Sequence, residues 1–123
     1  MGKKNKSSPM VEAPRQEIER LQEIYSFRRK EEVAGFLENH PYLVPLLLEA
    51  YPQIERHFSG HPVVFLEVIT DPEADDDREL YAFIGTRLPP EGALDKLDKF
   101  DKDWWLRALE KAKGNLCIHV KYL

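Results

Sequence analysis

The clearest structural signal in the chain is the stretch VVFLEVI at residues 63–69. β-Branched and aromatic residues of this kind favour a β-strand. The stretch is apolar on both faces except at Glu67, which predicts the central strand of a sheet. An acidic segment at 71–77 follows, and after it a second strand-like stretch, LYAFI, at 80–84. Together they predict an antiparallel hairpin closed by the acidic segment.

The sequence pattern after the hairpin predicts helices and a last strand. Residues 91–113 carry apolar side chains at helical spacing, and Asp101 is typical of a helix N-cap, which predicts two short helices. Residues 116–122 alternate apolar and polar side chains, as a half-exposed edge strand does. A right-handed crossover would return this strand beside the first one. We therefore expect a three-stranded sheet of order 2-1-3 with helices on one face.

The N-terminal half of the chain predicts helices behind a polar tail. Residues 1–14 are basic and lack an apolar period, which predicts a flexible tail. Residues 15–30 show an amphipathic pattern that is charged over most of its circumference, which predicts a peripheral helix. Residues 31–58 predict further helices. The expected fold is α+β, with the tail at 1–14, one domain at 15–123 and a ββααβ unit at 62–123.

Charge is unevenly distributed along the 123 residues. The net charge is −4, and because the first 30 residues carry +4 the other 93 carry −8. An acidic body repels phosphate backbones, so nucleic-acid binding is disfavoured. The basic side chains near the N-terminus are the exception that could contact nucleic acid. They are Lys3, Lys4, Lys6, Arg28, Arg29 and Lys30.

Cysteine content and hydropathy indicate the cellular compartment in which the protein is expected. The chain has a single cysteine, Cys117, so it cannot form an internal disulfide, which suits a reducing compartment. No signal peptide is recognisable, and the longest apolar run, at 43–48, is too short to span a bilayer. These features predict a cytoplasmic protein without a membrane association.

The acidic segment and a tryptophan pair are the candidate partner-binding residues. Five carboxylates in seven residues could attract a divalent cation, but Asp76 stands where a calcium loop needs glycine. We interpret the segment as a solvated hairpin turn, with an acidic docking surface and a metal site as alternatives. An exposed tryptophan would be an interface anchor. The candidate residues are Asp71, Glu73, Asp75, Asp76, Asp77, Trp104 and Trp105.

The predicted outward face of the sheet offers a weaker catalytic alternative. Glu67 and His119 would lie close together if the last strand returned beside the first, and a Glu–His pair can transfer protons. Cys117 and His119 are two residues apart on one strand, which is too far for a direct hydrogen bond. We interpret these side chains as ordinary polar residues, and the alternative is a hydrolase that a metal ion could assist. Nothing in the sequence indicates a cofactor.

Three histidines lie near predicted helix ends. They are His40, His57 and His61. A single cysteine and scattered histidines do not provide a zinc ligand set. A positive charge is favourable at a helix C-terminus, so we interpret these side chains as caps.

Four segments taken together resemble a group of small bacterial proteins of the cyanobacterial type. The segments are FLENHP at 36–41, FLEVITDPE at 65–73, FDKDWWL at 100–106 and GNLCI at 114–118. The resemblance extends over residues 31–123 and brings no assigned active site. It implies a bacterial protein with an antitoxin-like or accessory role, because such genes can stand near nuclease or toxin-like genes.

The functional expectation is a small interaction or regulatory protein rather than an enzyme. It depends on the segregation of charge along the chain and on the amphipathic helix at 15–30. The expected partner is another protein. A homodimer through the edge strand at 116–122 is an alternative, since an edge strand has unpaired backbone groups.

Overall fold

A computed structural model of the chain describes residues 8–58, 60–73 and 77–123, with side chains from residue 15 onward. The N-terminal elements are α1 (Ser8–Ile24), β1 (Ser26–Phe27), α2 (Lys30–Asn39) and α3 (Leu43–His57). The hairpin consists of β2 (Val64–Thr70) and β3 (Arg78–Thr86). The remaining elements are α4 (Pro90–Phe100), a π-helical segment (Asp101–Trp105), α5 (Leu106–Ala108), a 3₁₀ turn (Leu109–Ala112) and β4 (Leu116–Tyr122).

The α+β architecture is confirmed, but the sheet has four strands in the order β1-β2-β3-β4 rather than three. β2 and β3 pair antiparallel, as predicted, while β1 runs parallel to β2 and β4 runs parallel to β3. The predicted order 2-1-3 is wrong, because the last strand pairs with the second hairpin strand and not with the first. The other edge of β2 is occupied by β1, where Ser26 pairs with Phe65.

The helices cover one face of the sheet, as predicted. Alternate side chains of the three long strands are buried beneath them. The buried set is Val64, Leu66, Val68, Leu80, Ala82, Ile84, Leu116, Ile118 and Val120. This alternation is the period of two that a sheet shows when it is packed on one side only. The other face is left without a helix among the described residues.

Helix α1 belongs to the core, so the predicted peripheral helix at 15–30 is wrong. The backbone is helical from Ser8 to Ile24, and so residues 8–14, predicted as tail, begin this helix. Ile18 and Leu21 are buried, as is Tyr25 just beyond the helix. The Tyr25 hydroxyl donates a hydrogen bond of 2.7 Å to the Leu47 carbonyl of α3. A stripe of three apolar residues at helical spacing is therefore enough to anchor α1.

The connection from β3 to β4 is one continuous helical path rather than two helices. Asp101 has φ −59° and ψ −48°, which is helical, so it is not the predicted N-cap. At this residue the backbone widens into the π-helical segment, a rare conformation that inserts extra residues into a helix. The path ends at Lys113 and Gly114, which both have positive φ.

Candidate functional site: the open face of the sheet

The candidate site is the uncovered face of the sheet, which we call the open face. It consists of side chains that alternate with the buried set along the three long strands. They are Val63, Phe65, Glu67, Ile69, Glu79, Tyr81, Phe83, Gly85, Cys117, His119 and Lys121. Most of them are half-buried, because neighbouring side chains on the same face shield one another.

Aromatic rings form the centre of the open face. Phe65 on β2 lies directly opposite Phe83 on β3. The rings of Phe83 and Tyr81 stack at 5.3 Å between centroids. The Arg28 guanidinium carbon lies 4.5 Å from the centroid of Phe65, and the Lys121 ammonium lies 5.7 Å from that of Phe83. Cation–π contacts of this kind place positive charge beside an aromatic centre.

Aliphatic side chains extend the apolar surface beyond the rings. Val63 is 52 % exposed, Ile69 is 36 % exposed and Leu123 is 62 % exposed. A Cβ atom at Gly85 would lie only 3.2 Å from Cδ1 of Leu123, so glycine lets this side chain lie across β3. The resulting surface is largely apolar, with Glu67 on its middle row and further charges toward its ends. Exposed apolar surface flanked by charges is typical of an interaction site.

Charge is polarised along the strands of the open face. Arg28 and Lys121 lie toward the end where β2 begins, whereas Asp71, Asp77 and Glu79 lie at the hairpin end. Burial and the nearby Asp77 raise the pKa of Glu79, because its ionised form is poorly solvated and repelled. The hairpin end therefore carries negative charge that the surrounding side chains of the same chain compensate poorly.

The same environment acts on the two other ionisable groups at the centre. Burial raises the pKa of Tyr81, with Cys117, Glu79 and Asp77 adding to the shift. Burial likewise raises the pKa of Cys117, and the charges of Glu79 and Asp101 act in the same direction. The Cys117 side chain is therefore a thiol near neutral pH, and a thiol is a poor nucleophile.

The strand order separates Glu67 from His119, so the expected adjacency of this pair is wrong. β3 lies between their strands, and His119 is also offset by two residues, because Glu67 aligns with Tyr81 and Cys117. Strand spacing and rise place their Cα atoms about 12 Å apart. Nδ1 of His119 accepts a hydrogen bond of 2.8 Å from the Val120 amide. The geometry does not support proton transfer between this pair.

The described part of the acidic segment forms a turn. The Asp71 amide donates to the Asp77 carbonyl at 3.0 Å, and the Glu73 amide donates to Oδ1 of Asp71 at 2.9 Å. Asp75 and Asp76 lie outside the described residues. Within the described residues no group of three or more His, Cys, Asp or Glu side chains is arranged to hold a metal ion.

A shallow depression joins this turn to the open face. It has a volume of about 270 Å³ and is lined by residues of both hairpin strands and of the turn. They are Ile69, Thr70, Asp71, Pro72, Asp77, Glu79 and Tyr81. The acidic candidate residues thus lie beside the aromatic centre, a proximity that the sequence patterns do not indicate.

The tryptophan pair lies in the helical layer, apart from the strands that carry the acidic residues. Trp105 is buried in the core, while Trp104 is half-buried and stacks on it at 5.8 Å between centroids. Trp104 also packs against Phe100. The structure therefore does not bring the two sets of predicted partner-binding residues together.

Two of the three histidines cap helices, as predicted. Nδ1 of His40 lies 2.8 Å from the Phe36 carbonyl, and Nδ1 of His57 lies 3.0 Å from the Gln53 carbonyl, each in the last turn of its helix. His61 instead pairs with Glu55 at 2.8 Å.

The basic residues near the N-terminus are only partly described. Lys3, Lys4 and Lys6 lie outside the described residues. Arg28 covers Phe65, and the Arg29 guanidinium lies 3.7 Å from the Glu32 carboxylate. Nucleic-acid contact through these residues stays a prediction.

Comparisons with protein-family models, with curated proteins and with solved structures gave no match to this chain. Among the helices that the structure describes, none is long and apolar enough to cross a bilayer.

Proposed function

We propose that this chain is a non-catalytic interaction protein, with a regulatory or accessory role, and that its protein partner docks on the open face. The observation that carries the proposal is the apolar surface on adjacent strands, with Phe65, Tyr81 and Phe83 at its centre. Burial of such a surface stabilises a complex by removing apolar area from water. The rim charges would select the partner and fix its orientation.

The hydrolase alternative receives no support from the same geometry. It needs Glu67 and His119 close enough to share a proton or a water molecule, and β3 separates them. A nucleophilic role for Cys117 would need a thiolate, which the raised pKa disfavours. For the setting we infer the cytoplasm, from the single cysteine.

The test compares substitutions on the two layers of the fold. The open-face variant is Val63→Asp with Ile69→Asp, and the matched control on the helical layer is Leu94→Asp with Leu106→Asp; all four side chains are exposed. Both variants should remain folded, because no buried side chain changes. Tagged protein would be used to capture partners from the source organism, and a captured partner would then be purified and titrated calorimetrically.

We expect the open-face variant to weaken binding of that partner at least about tenfold, since two charges would be buried at the interface. The control should bind like the wild type. Equal binding by wild type and open-face variant, or loss of binding only in the helical-layer control, would refute the proposal.

A further inference from the structure

The charges of the open face are arranged so that the face complements itself. Lys121 and Arg28 lie toward one end of the strands, and Glu79, Asp71 and Asp77 lie at the other. Neither Glu79 nor Lys121 forms an ion pair with another residue that the structure describes. Each end of the open face therefore has a charged side chain that can pair with an oppositely charged side chain of a partner.

Symmetry selects one arrangement of two such faces. A two-fold axis parallel to the strands would place acidic end on acidic end, and like charges across an interface are costly. An axis across the strands reverses the strand direction, so that the acidic end of one copy covers the basic end of the other. Face-to-face packing of this kind is the normal packing of two sheets.

We propose that the open face binds a second copy of this chain, in a two-fold dimer whose facing strands run antiparallel. This inference rests on the proposed function and names its partner. The axis passes between the row of Glu67, Tyr81 and Cys117 and the row of Phe65, Phe83 and His119, so the two Glu67 carboxylates are not stacked on each other. Lys121 then lies over the row that contains Glu79 of the partner subunit, one strand spacing of about 4.8 Å to its side. The long lysine side chain can span this offset, and the reverse contact follows by symmetry.

The edge of the sheet is less suited to dimerisation than its face. The Leu123 amide donates a hydrogen bond to the Thr86 carbonyl of β3. The amides of odd-numbered residues in β4 therefore point toward β3, and the amide of Val120 points away from it. Nδ1 of His119 already accepts a hydrogen bond from that amide. A strand added at β4 would have to displace this imidazole, whereas the open face needs no rearrangement.

The open face is small for a dimer interface. Three long strands at the usual spacing and rise give a footprint of about 14 by 20 Å. This is well below the area of about 800 Å² per partner that a standard interface buries. Interfaces of this size are typical of weak, transient complexes, so association should be measured over about 1 μM to 1 mM protein.

The decisive experiment is a charge exchange between Lys121 and Glu79. Lys121→Glu and Glu79→Lys are each prepared alone in the full chain, and the two are also mixed in equal amounts. Sedimentation velocity gives the dissociation constants, and circular dichroism confirms that each variant is folded. In the mixed dimer both contacts are attractive, since Glu at 121 meets Lys at 79 on one side and the native pair remains on the other.

We expect each single variant to dimerise at least about tenfold more weakly than the wild type, and the mixture to recover an affinity near the wild-type value. Raising the ionic strength from about 0.05 M to about 0.5 M should weaken the wild-type dimer, because exposed ion pairs are screened. A matched reversal on the helical layer, Lys99→Glu, should leave the affinity unchanged.

Three outcomes would overturn the inference. They are a wild-type chain that stays monomeric at about 1 mM, the top of the range in which a weak dimer is measured, a dimer whose affinity neither reversal changes, and a mixture that binds no more tightly than the single variants. The proposed function has a separate readout. A monomeric chain whose partner binding is lost in the Val63→Asp, Ile69→Asp variant would refute the dimer and leave the proposed function standing.

Discussion

The imidazole of His57 joins α3 to the π-helical segment, because its Nε2 lies 2.8 Å from Oδ2 of Asp103. Its Nδ1 faces the Gln53 carbonyl at 3.0 Å. One side chain thus links the last turn of α3 to the π-helical segment. His57 is also packed edge-on against the buried ring of Phe100.

The first prediction is that Asp103→Asn reduces the pH dependence of stability in acid. The hydrogen bond from His57 lowers the pKa of Asp103, and the charges of His57, Arg56 and Arg107 act in the same direction. A carboxylate with a lowered pKa stabilises the fold above its unfolded value of about 3.9, and this contribution is lost as the pH falls through the lowered pKa. The melting temperature of Asp103→Asn should therefore be slightly below that of the wild type near pH 6.

The difference between the two melting curves should vanish below the lowered pKa. A double-mutant cycle provides the control: Asp103→Asn should have a smaller effect in the His57→Gln background than in the wild type, because only the charges of Arg56 and Arg107 then act on the carboxylate. A melting-temperature difference that is independent of pH would contradict this account.

The second prediction is that Tyr25→Phe destabilises the chain by about 1–3 kcal/mol, since the Leu47 carbonyl loses its buried donor. Burial of the phenol raises the pKa of Tyr25, with Tyr51 adding to the shift, so the hydroxyl is a proton donor at all ordinary pH values. Chemical denaturation at neutral pH measures the loss.

The matched control for Tyr25 is Tyr51→Phe. The Tyr51 hydroxyl donates to the Pro62 carbonyl at 2.9 Å, but in a partly exposed position where water can replace it. Its cost should be smaller. Equal costs for both substitutions would show that burial of the Tyr25 hydrogen bond is not what anchors the end of α1.

The third prediction is that Asp101→Asn stabilises the chain at neutral pH. Burial and the charge of Asp98 raise the pKa of Asp101, against a lowering by His119. Oδ1 of Asp101 is buried without a hydrogen-bond partner among the described residues. A carboxyl with a raised pKa weakens the fold above its unfolded pKa, and this penalty is relieved as the pH falls.

We expect a gain of at most about 1 kcal/mol at pH 7, given the partial exposure of the group, and no gain below about pH 3.9. Urea denaturation at the two pH values measures it. Asp95→Asn is the control, because Asp95 forms only an exposed ion pair with Lys99 at 3.5 Å. A loss of stability in Asp101→Asn at pH 7 would argue against this sign.

The fourth prediction concerns the reactivity of Cys117, the only thiol of the chain. Burial and the charges of Glu79 and Asp101 raise its pKa, so the rate of alkylation by iodoacetamide should reach half its maximum above the ordinary thiol value of about 8.5. In urea the rate should match that of a cysteine peptide. Glu79→Gln should move the midpoint to lower pH, and a native midpoint below 8.5 would refute the prediction.

Local patterns predicted the elements better than their arrangement. The hairpin of β2 and β3, the helical layer on one face and the edge position of β4 all follow from apolar periodicity and turn residues. The position of β4 beside β3 does not follow, because it depends on β1, a two-residue strand that carries no periodic signal. Tertiary pairing of so short a segment is invisible in the sequence.

The candidate site was missed for a related reason. The apolar residues Phe65 and Ile69 led to the prediction that the stretch at 63–69 is buried on both faces. Both side chains lie on the open face. The clean alternation of 116–122 was the available signal, since one strand with an exposed face implies that its neighbours expose the same face. Charge polarity along that face could not be predicted, because it requires the register of three strands.

The position of β4 at the far side of β3 has a consequence for the order of folding. Seven residues connect β2 to β3, whereas 29 residues separate β3 from β4. Closing the longer connection costs about 1 kcal/mol more in chain entropy than closing the shorter one. The parallel pairing of β4 with β3 also consists only of contacts between residues far apart in the chain, and such contacts form slowly. The hairpin should therefore form early and β4 should dock late. Among the three long strands, amide hydrogen exchange should be fastest in β4, and transient release of β4 would uncover the edge of β3, which carries Tyr81 and Phe83.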